Sequence, residues 1–373
     1  MVSRERLAES FLELVRIDSL SRQERDIADN LKSRLRELGC TVEEDQTARA
    51  VNGNAGNLIA RLPGEGQAIL LGAHMDTVEP GRRVRPRVRD GVVTSAGDTI
   101  LGGDDKAGIA AILEAVRVIQ AGGEAHPPLE IVFTVAEEVG LLGAKHLGFG
   151  RLQSRMGFIL DSEGPPGQVI VRGPSQDRLV ATVIGRAAHA GICPEEGINA
   201  IQAAARGIAG LRLGRIDPET TANIGVIRGG QATNIVPDRV TVEGESRSLD
   251  DAKRAAMTQE ILQGLETAVR ESGAEIQTEV ETLYESFRLP PDAPVVTLAR
   301  RAMERLGITP RLEQSGGGSD ANVFNASGIP TANLSCGMQR VHSTAEFLRL
   351  DDLVASARLV LEIIRLGAAK GLD

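Results

Sequence analysis

The chain alternates between apolar runs of strand length and segments in which apolar residues recur at helical spacing, a pattern that predicts an α/β fold. Two amphipathic helices come first and end before Gly39, a residue type that commonly terminates helices. Their apolar positions are Leu7, Phe11, Leu14 and Val15, then Ile27, Leu31, Leu35 and Leu38. Both helices are predicted to be scaffold rather than part of a site.

Three later apolar runs end in imidazole or acidic side chains. Runs that can be buried on both faces are typical of central strands in a parallel sheet, and ligands bind at the carboxyl ends of such strands. The runs and the side chains that end them are 68–73 with His74 and Asp76, 129–136 with Glu137 and Glu138, and 156–160 with Asp161. Together they predict a metal site at one edge of the sheet.

Two further segments supply candidates for that site. Gly102 and Gly103 precede Asp104 and Asp105 where a helix is predicted to begin, and free N–H groups there stabilise carboxylates. Each aspartate can therefore be explained as a helix cap or as a bridging metal ligand, and Lys106 is expected to orient one of the acids. A late loop, residues 341–346, carries His342. Imidazole and carboxylate are the ligand types that a zinc pair requires.

The middle of the chain has a different pattern. From about residue 173 the predicted elements follow the order β-α-β-β-α-β, which is that of a ferredoxin-like module. Residues 173–286 are therefore predicted to be an inserted α+β domain. It interrupts a larger α/β domain, residues 1–172 and 287–373, which is predicted to contain a mixed, largely parallel sheet sandwiched by helices.

Composition narrows the class of protein and its partners. The 373 residues suffice for two domains, and the net charge of -9 argues against nucleic acid or an anionic membrane as a partner. Five arginines between Arg82 and Arg89 are interpreted as a solvated loop. The three cysteines are scattered, which indicates a reducing compartment rather than a disulfide framework. No signal-like start or membrane-length apolar run is visible, so a cytoplasmic enzyme is expected.

The motifs, taken in order, resemble metallopeptidase family M20 and most of all its peptidase T branch of tripeptide aminopeptidases. The resemblance spans essentially the whole chain. It rests on His74-Met75-Asp76, Gly103-Asp104-Asp105-Lys106, Glu137-Glu138, Asp161 and His342. It implies a zinc-peptidase-like catalytic domain, in which the inserted domain serves as a lid and joins two chains into a homodimer.

The resemblance also implies the metal ligands. His74 and Asp161 would hold one Zn²⁺, Glu138 and His342 would hold the other, and Asp104 would bridge the two. Co²⁺ or Mn²⁺ are alternatives to zinc. Asp104 is preferred to its neighbour because the family pattern is Asp-any-Lys. Glu163, a close neighbour of Asp161 in sequence, remains an alternative ligand.

Further roles follow from the same resemblance. Asp76 would orient His74, and Glu137 would be the general base that activates a metal-bridging water. On the lid, His189 matches a histidine that donates to the developing oxyanion. Asn234 and Arg247 match positions that hold the backbone and terminal carboxylate of the substrate.

The implied function is a dizinc exopeptidase that hydrolyses the N-terminal peptide bond of short peptides. Aspartate at position 161 resembles the aminopeptidases and dipeptidases of the family, whereas glutamate is associated with carboxypeptidases and deacylases. An M20-type carboxypeptidase or N-acyl amino acid amidohydrolase is the alternative. A non-catalytic peptide-binding protein is a third hypothesis, disfavoured because the base and the ligand set are intact.

Overall fold

The computed structural model describes residues 1–368, which form two compact units. The first unit comprises Met1–Arg172, Arg288–Ser315 and the described residues from Ser319 onward. The second comprises Gly173–Phe287 together with Gly316–Gly318. Every helix within residues 1–368 is too short or too polar to span a bilayer.

The described chain contains ten α-helices, two short 3₁₀ helices (Phe149–Arg151 and Pro194–Glu196) and eighteen strands. The helices are α1 (Arg4–Val15), α2 (Arg25–Glu37), α3 (Thr47–Val51), α4 (Gly103–Gly122), α5 (Leu142–Lys145), α6 (Ala200–Ala209), α7 (Asp251–Glu271), α8 (Pro294–Arg305), α9 (Asp320–Ala326) and α10 (Leu350–Gly367). The strands are β1 (Thr41–Glu44), β2 (Leu58–Leu62), β3 (Ile69–His74), β4 (Pro86–Arg89), β5 (Val92–Ser95), β6 (Leu129–Thr134), β7 (Met156–Ser162), β8 (Gln168–Gly173), β9 (Ser175–Ile184), β10 (Gly214–Asp217), β11 (Thr220–Gly229), β12 (Arg239–Ser248), β13 (Glu275–Tyr284), β14 (Phe287–Arg288), β15 (Arg311–Gln314), β16 (Thr331–Ser335), β17 (Met338–Gln339) and β18 (Phe347–Arg349).

The main sheet of the first unit has the order β1-β2-β6-β3-β7-β16-β8-β14, with β15 beside β8. Its centre is parallel, because β3 runs parallel to β6 and β7, and β7 runs parallel to β16. Antiparallel pairs flank this centre on both sides. The predicted mixed, largely parallel sheet is confirmed, and the three apolar runs are its neighbouring strands β6, β3 and β7.

Close packing fixes these central strands. All six residues of β3 are buried, and the sheet is covered by α4, which is buried from Gly103 to Val116. A methyl group added at Gly72 would lie 2.5 Å from the Cδ1 atom of Ile159 on β7. Any side chain at that position would therefore displace the tip of Ile159 from its packed position, and the sequence has glycine there.

A small antiparallel sheet, β17-β18-β5-β4, also belongs to the first unit. Its strand β4 covers the second half of the arginine run, so the prediction of a loop from Arg82 to Arg89 is wrong for that half. Pro86–Arg89 pairs with Val92–Ser95 across a tight turn. In this short strand Pro86 and Val88 alternate with two arginines, which gives the strand one apolar side. The density of charge nevertheless favours a loop, because it is the stronger feature of the sequence.

The second unit is an antiparallel sheet of order β10-β11-β12-β9-β13. The helices α6 and α7 pack on it through a cluster of apolar side chains that includes Leu179, Ala203, Val242, Ile261 and Leu265. The predicted order β-α-β-β-α-β therefore lacks one strand, β10. Because that strand is short and largely exposed, its residues have no apolar alternation that would reveal it.

Candidate metal centre

Side chains from five distant segments of the first unit meet at the carboxyl edge of the central strands. His74 Nε2 lies 2.9 Å from Asp104 Oδ1 and 3.9 Å from Asp161 Oδ1. His342 Nε2 lies 3.3 Å from Asp104 Oδ2 and 3.0 Å from Glu138 Oε1. The two oxygens of Asp104 thus face two different imidazoles, which is the arrangement of a bridging ligand.

The donor atoms form two overlapping groups that could each hold a cation. One ligand atom from each of His74, Asp104 and Glu138 lies within 4.8 Å of the others, and the same is true of His74, Asp105 and Asp161. The peptide between the two aspartates is cis. Asp105 also accepts hydrogen bonds from the backbone N–H groups of His74 (3.3 Å) and Gly108 (3.2 Å), so part of its acceptor capacity is used.

The charges of this cluster are unbalanced in favour of acid. The buried or largely buried acids that surround the two imidazoles are Asp76, Asp104, Asp105, Glu137, Glu138 and Asp161. Burial, followed by the charge of Asp104, raises the pKa of Asp161 well above its ordinary value. Hydrogen bonds that the His342 imidazole donates to the carboxylates of Asp104 and Glu138 raise its pKa to about 10. Imidazoles and excess carboxylates are a donor set that fits divalent cations such as Zn²⁺, Mn²⁺ or Co²⁺.

The pKa of His74 has different causes, because this imidazole is buried. Burial alone lowers the pKa of this imidazole, but hydrogen bonds to Asp104 and Asp76 outweigh it and raise the pKa well above the ordinary value. Its Nδ1 atom lies 2.9 Å from the backbone carbonyl of Asp76 and 3.5 Å from the carboxylate of the same residue. The ring is therefore oriented mainly by a main-chain oxygen.

The carboxylate of Asp76 has other partners. Its Oδ1 accepts from the N–H of Glu137 (2.9 Å), and its Oδ2 accepts from the N–H of Glu138 (3.2 Å) and the hydroxyl of Ser21 (2.6 Å). Asp76 thus connects the end of β3 to the segment after β6. Besides contacting His74, it fixes the backbone of the two adjacent glutamates.

Glu137, the predicted base, is 8% exposed and follows Ala136, whose φ is +51°. Burial raises the pKa of Glu137 well above its usual range, and the charges of Asp161, Asp320 and Glu138 add to this while His74 opposes it. Asp320 is a further buried acid, for which the sequence predicts no role. Burial raises its pKa to about 6, although a hydrogen bond from Thr134 opposes the shift.

The start of α4 differs from expectation. The N–H groups from Leu101 to Asp104 donate to the carboxylate of Glu346, so they do not stabilise the two aspartates. Asp105 does accept from a free N–H group of the helix start, that of Gly108 at 3.2 Å, so the predicted stabilisation holds for Asp105 and not for Asp104. The amine of Lys106 donates to the backbone carbonyl of Ile17 at 2.7 Å and is fully buried, which lowers its pKa to about 8. Lys106 therefore holds the loop between α1 and α2 rather than orienting an acid by a direct hydrogen bond.

Comparison with known proteins identifies the family. The sequence model of Peptidase family M20/M25/M40 matches residues 70–366. The chain belongs to this family. The protein YqjE of Bacillus subtilis is similar to it, with 43% identity over 366 residues that cover 98% of this chain and 99% of YqjE.

Two solved structures extend the similarity to particular M20 enzymes. Aminopeptidase PepT from Bacillus cereus is 43% identical and has a TM-score of 0.89 over 99% of this chain and 100% of that chain. A tripeptidase from Staphylococcus aureus is 39% identical and has a TM-score of 0.93 over 99% of each chain. The protein is therefore a peptidase of the peptidase T-like branch of M20, and peptides are its substrates.

The alternative ligand Glu163 has a different contact in this M20 peptidase. It is exposed, and its Oε1 accepts from the N–H of Val341 at 2.9 Å. Neither group of convergent donor atoms found within residues 1–368 includes it. Its contact instead supports the loop that carries His342.

The remaining predicted residues lie in the second unit. His189 is exposed, and its loop runs beside that of Asn234, because the N–H of Ala190 donates to the Asn234 carbonyl at 3.0 Å. Arg247 lies on β12 and binds the carboxylate of Glu245 through two nitrogens, at 2.9 and 3.0 Å. Its guanidinium therefore already holds a carboxylate of its own chain in the bidentate geometry expected for a substrate.

Proposed function

We propose that this peptidase is an aminopeptidase that releases the N-terminal residue of short peptides, tripeptides above all, with two divalent cations. The observation that carries the proposal is the position of Asp104 between His74 and His342, with Glu138 and Asp161 beside them. The similar structures described as an aminopeptidase and a tripeptidase support the substrate class.

The five proposed ligands can be assigned to two cations. His74 and Asp161 would hold one, Glu138 and His342 the other, and Asp104 would contribute one oxygen to each. Zn²⁺ is the first choice because imidazole and carboxylate are its usual ligands in hydrolases. When bound, the pair supplies acidification of a water and polarisation of the peptide carbonyl.

Glu137 would carry the proton. It takes a proton from the attacking water and passes it to the leaving amine, so its pKa has to lie near the working pH. Burial and the acids around it raise that pKa, which offsets the lowering that nearby cations cause. Because Asp76 binds the N–H groups of Glu137 and Glu138, it keeps the base and its neighbouring ligand in a fixed relation.

The roles proposed for the second unit are to bind the peptide and to pair two chains. His189 would donate to the developing oxyanion, while Asn234 and Arg247 would hold the backbone and the carboxylate of the peptide. For Arg247 this requires exchange of Glu245 for the substrate carboxylate. Large apolar side chains exposed on this unit support a homodimer, among them Ile192 (76% exposed) and Ile227 (50% exposed).

The test combines peptide hydrolysis with metal analysis. Metal-loaded protein is expected to release the first residue of an unblocked tripeptide and to leave the N-acetylated peptide intact. Release of the last residue, or cleavage of the acylated peptide, would favour the carboxypeptidase or amidohydrolase alternative. Absence of hydrolysis by fully metal-loaded protein would favour a peptide-binding protein.

A variant of the base separates catalysis from metal binding. Glu137→Gln is expected to lower kcat by about 10²–10⁴-fold, the usual contribution of a general base, while its metal content stays unchanged. Glu130→Gln is a matched control, because Glu130 is also buried on the same segment but lies at the opposite end of β6. Equal activity of the two variants would remove Glu137 from the mechanism.

A further inference from the structure

A carboxylate outside the ligand set holds the turn that carries Asp104. Glu346 is 2% exposed and accepts hydrogen bonds from four consecutive backbone N–H groups. Its Oε2 accepts from Leu101 (2.7 Å) and Gly102 (2.9 Å), and its Oε1 accepts from Gly103 (2.7 Å) and Asp104 (3.2 Å). Both carboxylate oxygens are therefore fully engaged with the main chain directly before the bridging aspartate.

The shape of this turn fits a carboxylate closely. Gly102 has a φ of +72°, a left-handed conformation that glycine adopts without strain. Successive N–H groups that point to one acceptor form a concavity that binds anions. A methyl group added at Gly103 would lie 2.9 Å from Glu346 Oε1, so the concavity has no room for a side chain as well as this carboxylate.

Glu346 belongs to the same loop as the second imidazole, His342. The N–H of Glu346 donates to the carbonyl of Ser343 at 3.0 Å, and the hydroxyl of Ser343 donates to the carbonyl of Arg340 at 2.7 Å. The loop is thus folded on itself between its two functional residues. Through Glu346 it is joined to the segment of Asp104, which lies 242 positions away in the sequence.

We propose that Glu346 is a positioning residue. It holds Asp104 and His342 close enough to bind the same cation, with Oδ2 and Nε2 3.3 Å apart, before any cation binds. This inference rests on the proposed metal centre but not on the reaction carried out there. A centre whose ligands are already ordered loses less conformational freedom on binding, so the cations bind more tightly. Residues that support ligands in this way typically contribute about 10–100-fold to metal affinity.

Glu130 provides a matched control. It is buried to a similar degree and accepts from the N–H groups of Gln153 and Ser154, both at 2.8 Å, and from the Ser154 hydroxyl at 2.7 Å. It lies near the start of β6, whereas the ligands follow the end of that strand. Glu130→Gln therefore disturbs the same kind of hydrogen bonds, and an ion pair with Arg61 at 3.2 Å, at the end of β6 that lies away from the ligands.

The experiment measures metal affinity without substrate. Wild type, Glu346→Gln and Glu130→Gln are stripped of metal, and Zn²⁺ affinity is determined by competition with a chromophoric chelator, with Co²⁺ absorption spectra and thermal unfolding in parallel. Glutamine keeps the size of the side chain but turns an NH₂ group toward N–H donors. Glu346→Gln is expected to bind at least one cation about 10–100-fold more weakly and to change the Co²⁺ spectrum, and Glu130→Gln to stay within about twofold of wild type.

Two results would overturn the proposal: wild-type affinity in folded Glu346→Gln, or an equal loss of affinity in Glu130→Gln. If Glu346→Gln does not fold, Gly103→Ala tests the proposal instead. Its added methyl group displaces the Glu346 carboxylate from the N–H groups while Glu346 itself is unchanged. Its control is Gly150→Ala, where an added methyl meets no atom within 4 Å. Gly103→Ala with wild-type affinity would refute the positioning role. Wild type that binds two cations but cleaves no peptide would refute the proposed function alone.

Discussion

The two imidazoles of the metal centre are supported in opposite ways. His74 ends a strand in which every residue is buried, and its own side chain is 2% exposed. His342 lies in the loop between β17 and β18, with a φ of +60° and a side chain that is 52% exposed. One half of the centre is therefore built by the packing of a sheet, and the other half by hydrogen bonds within and around a loop.

This difference indicates where the geometry of the centre is vulnerable. The strand half is held by many small packing contacts, such as that between Gly72 and Ile159, so no single polar group determines it. The loop half is held by a few polar contacts, chiefly those of Glu346 and Glu163. Substitution of ligands in the two halves is expected to have unequal consequences.

The largest effect is expected from His74→Ala. Its imidazole contacts Asp104 and lies near Asp161, so its loss removes a ligand and leaves buried acids without their main positive partner. We expect peptidase activity to fall by more than about 100-fold, which is the upper end for residues that only support a ligand. Metal content and kcat/KM of the purified variant are the measurements.

His146→Ala is the control for this variant, because His146 is exposed and its ring contacts the backbone carbonyl of Leu142 at 2.9 Å. It should retain full metal content and activity. A His74→Ala protein that keeps two cations and normal activity would show that the strand half is not a ligand site.

A smaller effect is expected from His342→Ala. The contacts of His342 are to Asp104 and Glu138, so its loss should weaken one cation and leave the group around His74 intact. We expect about one cation per chain to remain tightly bound, since imidazole and carboxylate ligands persist on the strand side. Metal analysis after gel filtration tests this, and loss of both cations would mean that the two halves do not bind independently.

The difference between the halves also predicts a pH dependence of stability in the metal-free protein. Asp104 and Glu138 raise the pKa of His342 from an ordinary 6.5 to about 10 in the folded chain. A raised folded-state pKa stabilises the fold fully below pH 6.5, and this contribution is lost as the pH rises through about 10.

The prediction is tested by denaturant unfolding in the presence of EDTA at several pH values. Wild type should exceed His342→Ala in its free energy of unfolding at pH 6, and this difference should shrink as the pH approaches 10. A difference that stays constant over this range would show that the ion pairs of His342 do not contribute to stability.

Much of the strand half could be predicted from the sequence. Long apolar runs that end in polar residues identify β3, β6 and β7 because burial on both faces leaves few alternatives to a central strand. The parallel arrangement of these strands is confirmed, and it explains why His74, Glu138 and Asp161 meet at one edge. The position of these strands follows from the hydrophobicity of their side chains, which can be read directly from the sequence.

The loop half could be predicted only in part. The sequence indicates His342 as a candidate ligand from its place in a late loop, and the family resemblance implies its role. The sequence does not indicate the role of Glu346, because the partners of Glu346 are main-chain N–H groups, which every residue except proline has. A signal did exist, since the Gly102-Gly103 pair leaves several N–H groups in need of an acceptor. Nothing local to that pair identifies an acid that lies more than two hundred residues further along the chain.

The smallest effect is expected from Glu163→Ala, which tests whether this residue or Asp161 is the ligand. Glu163 holds the N–H of Val341, next to His342, at 2.9 Å, so its loss should loosen one end of the loop while Glu346 still secures the other. We expect both cations to stay bound and activity to fall by less than about 10-fold, the lower end for a residue that supports a ligand. Asp161→Ala, compared under the same conditions, should lose a cation. If Glu163→Ala loses the cation instead and Asp161→Ala retains it, the strand half of the centre ends at Glu163, and the division between a buried and an exposed half no longer holds.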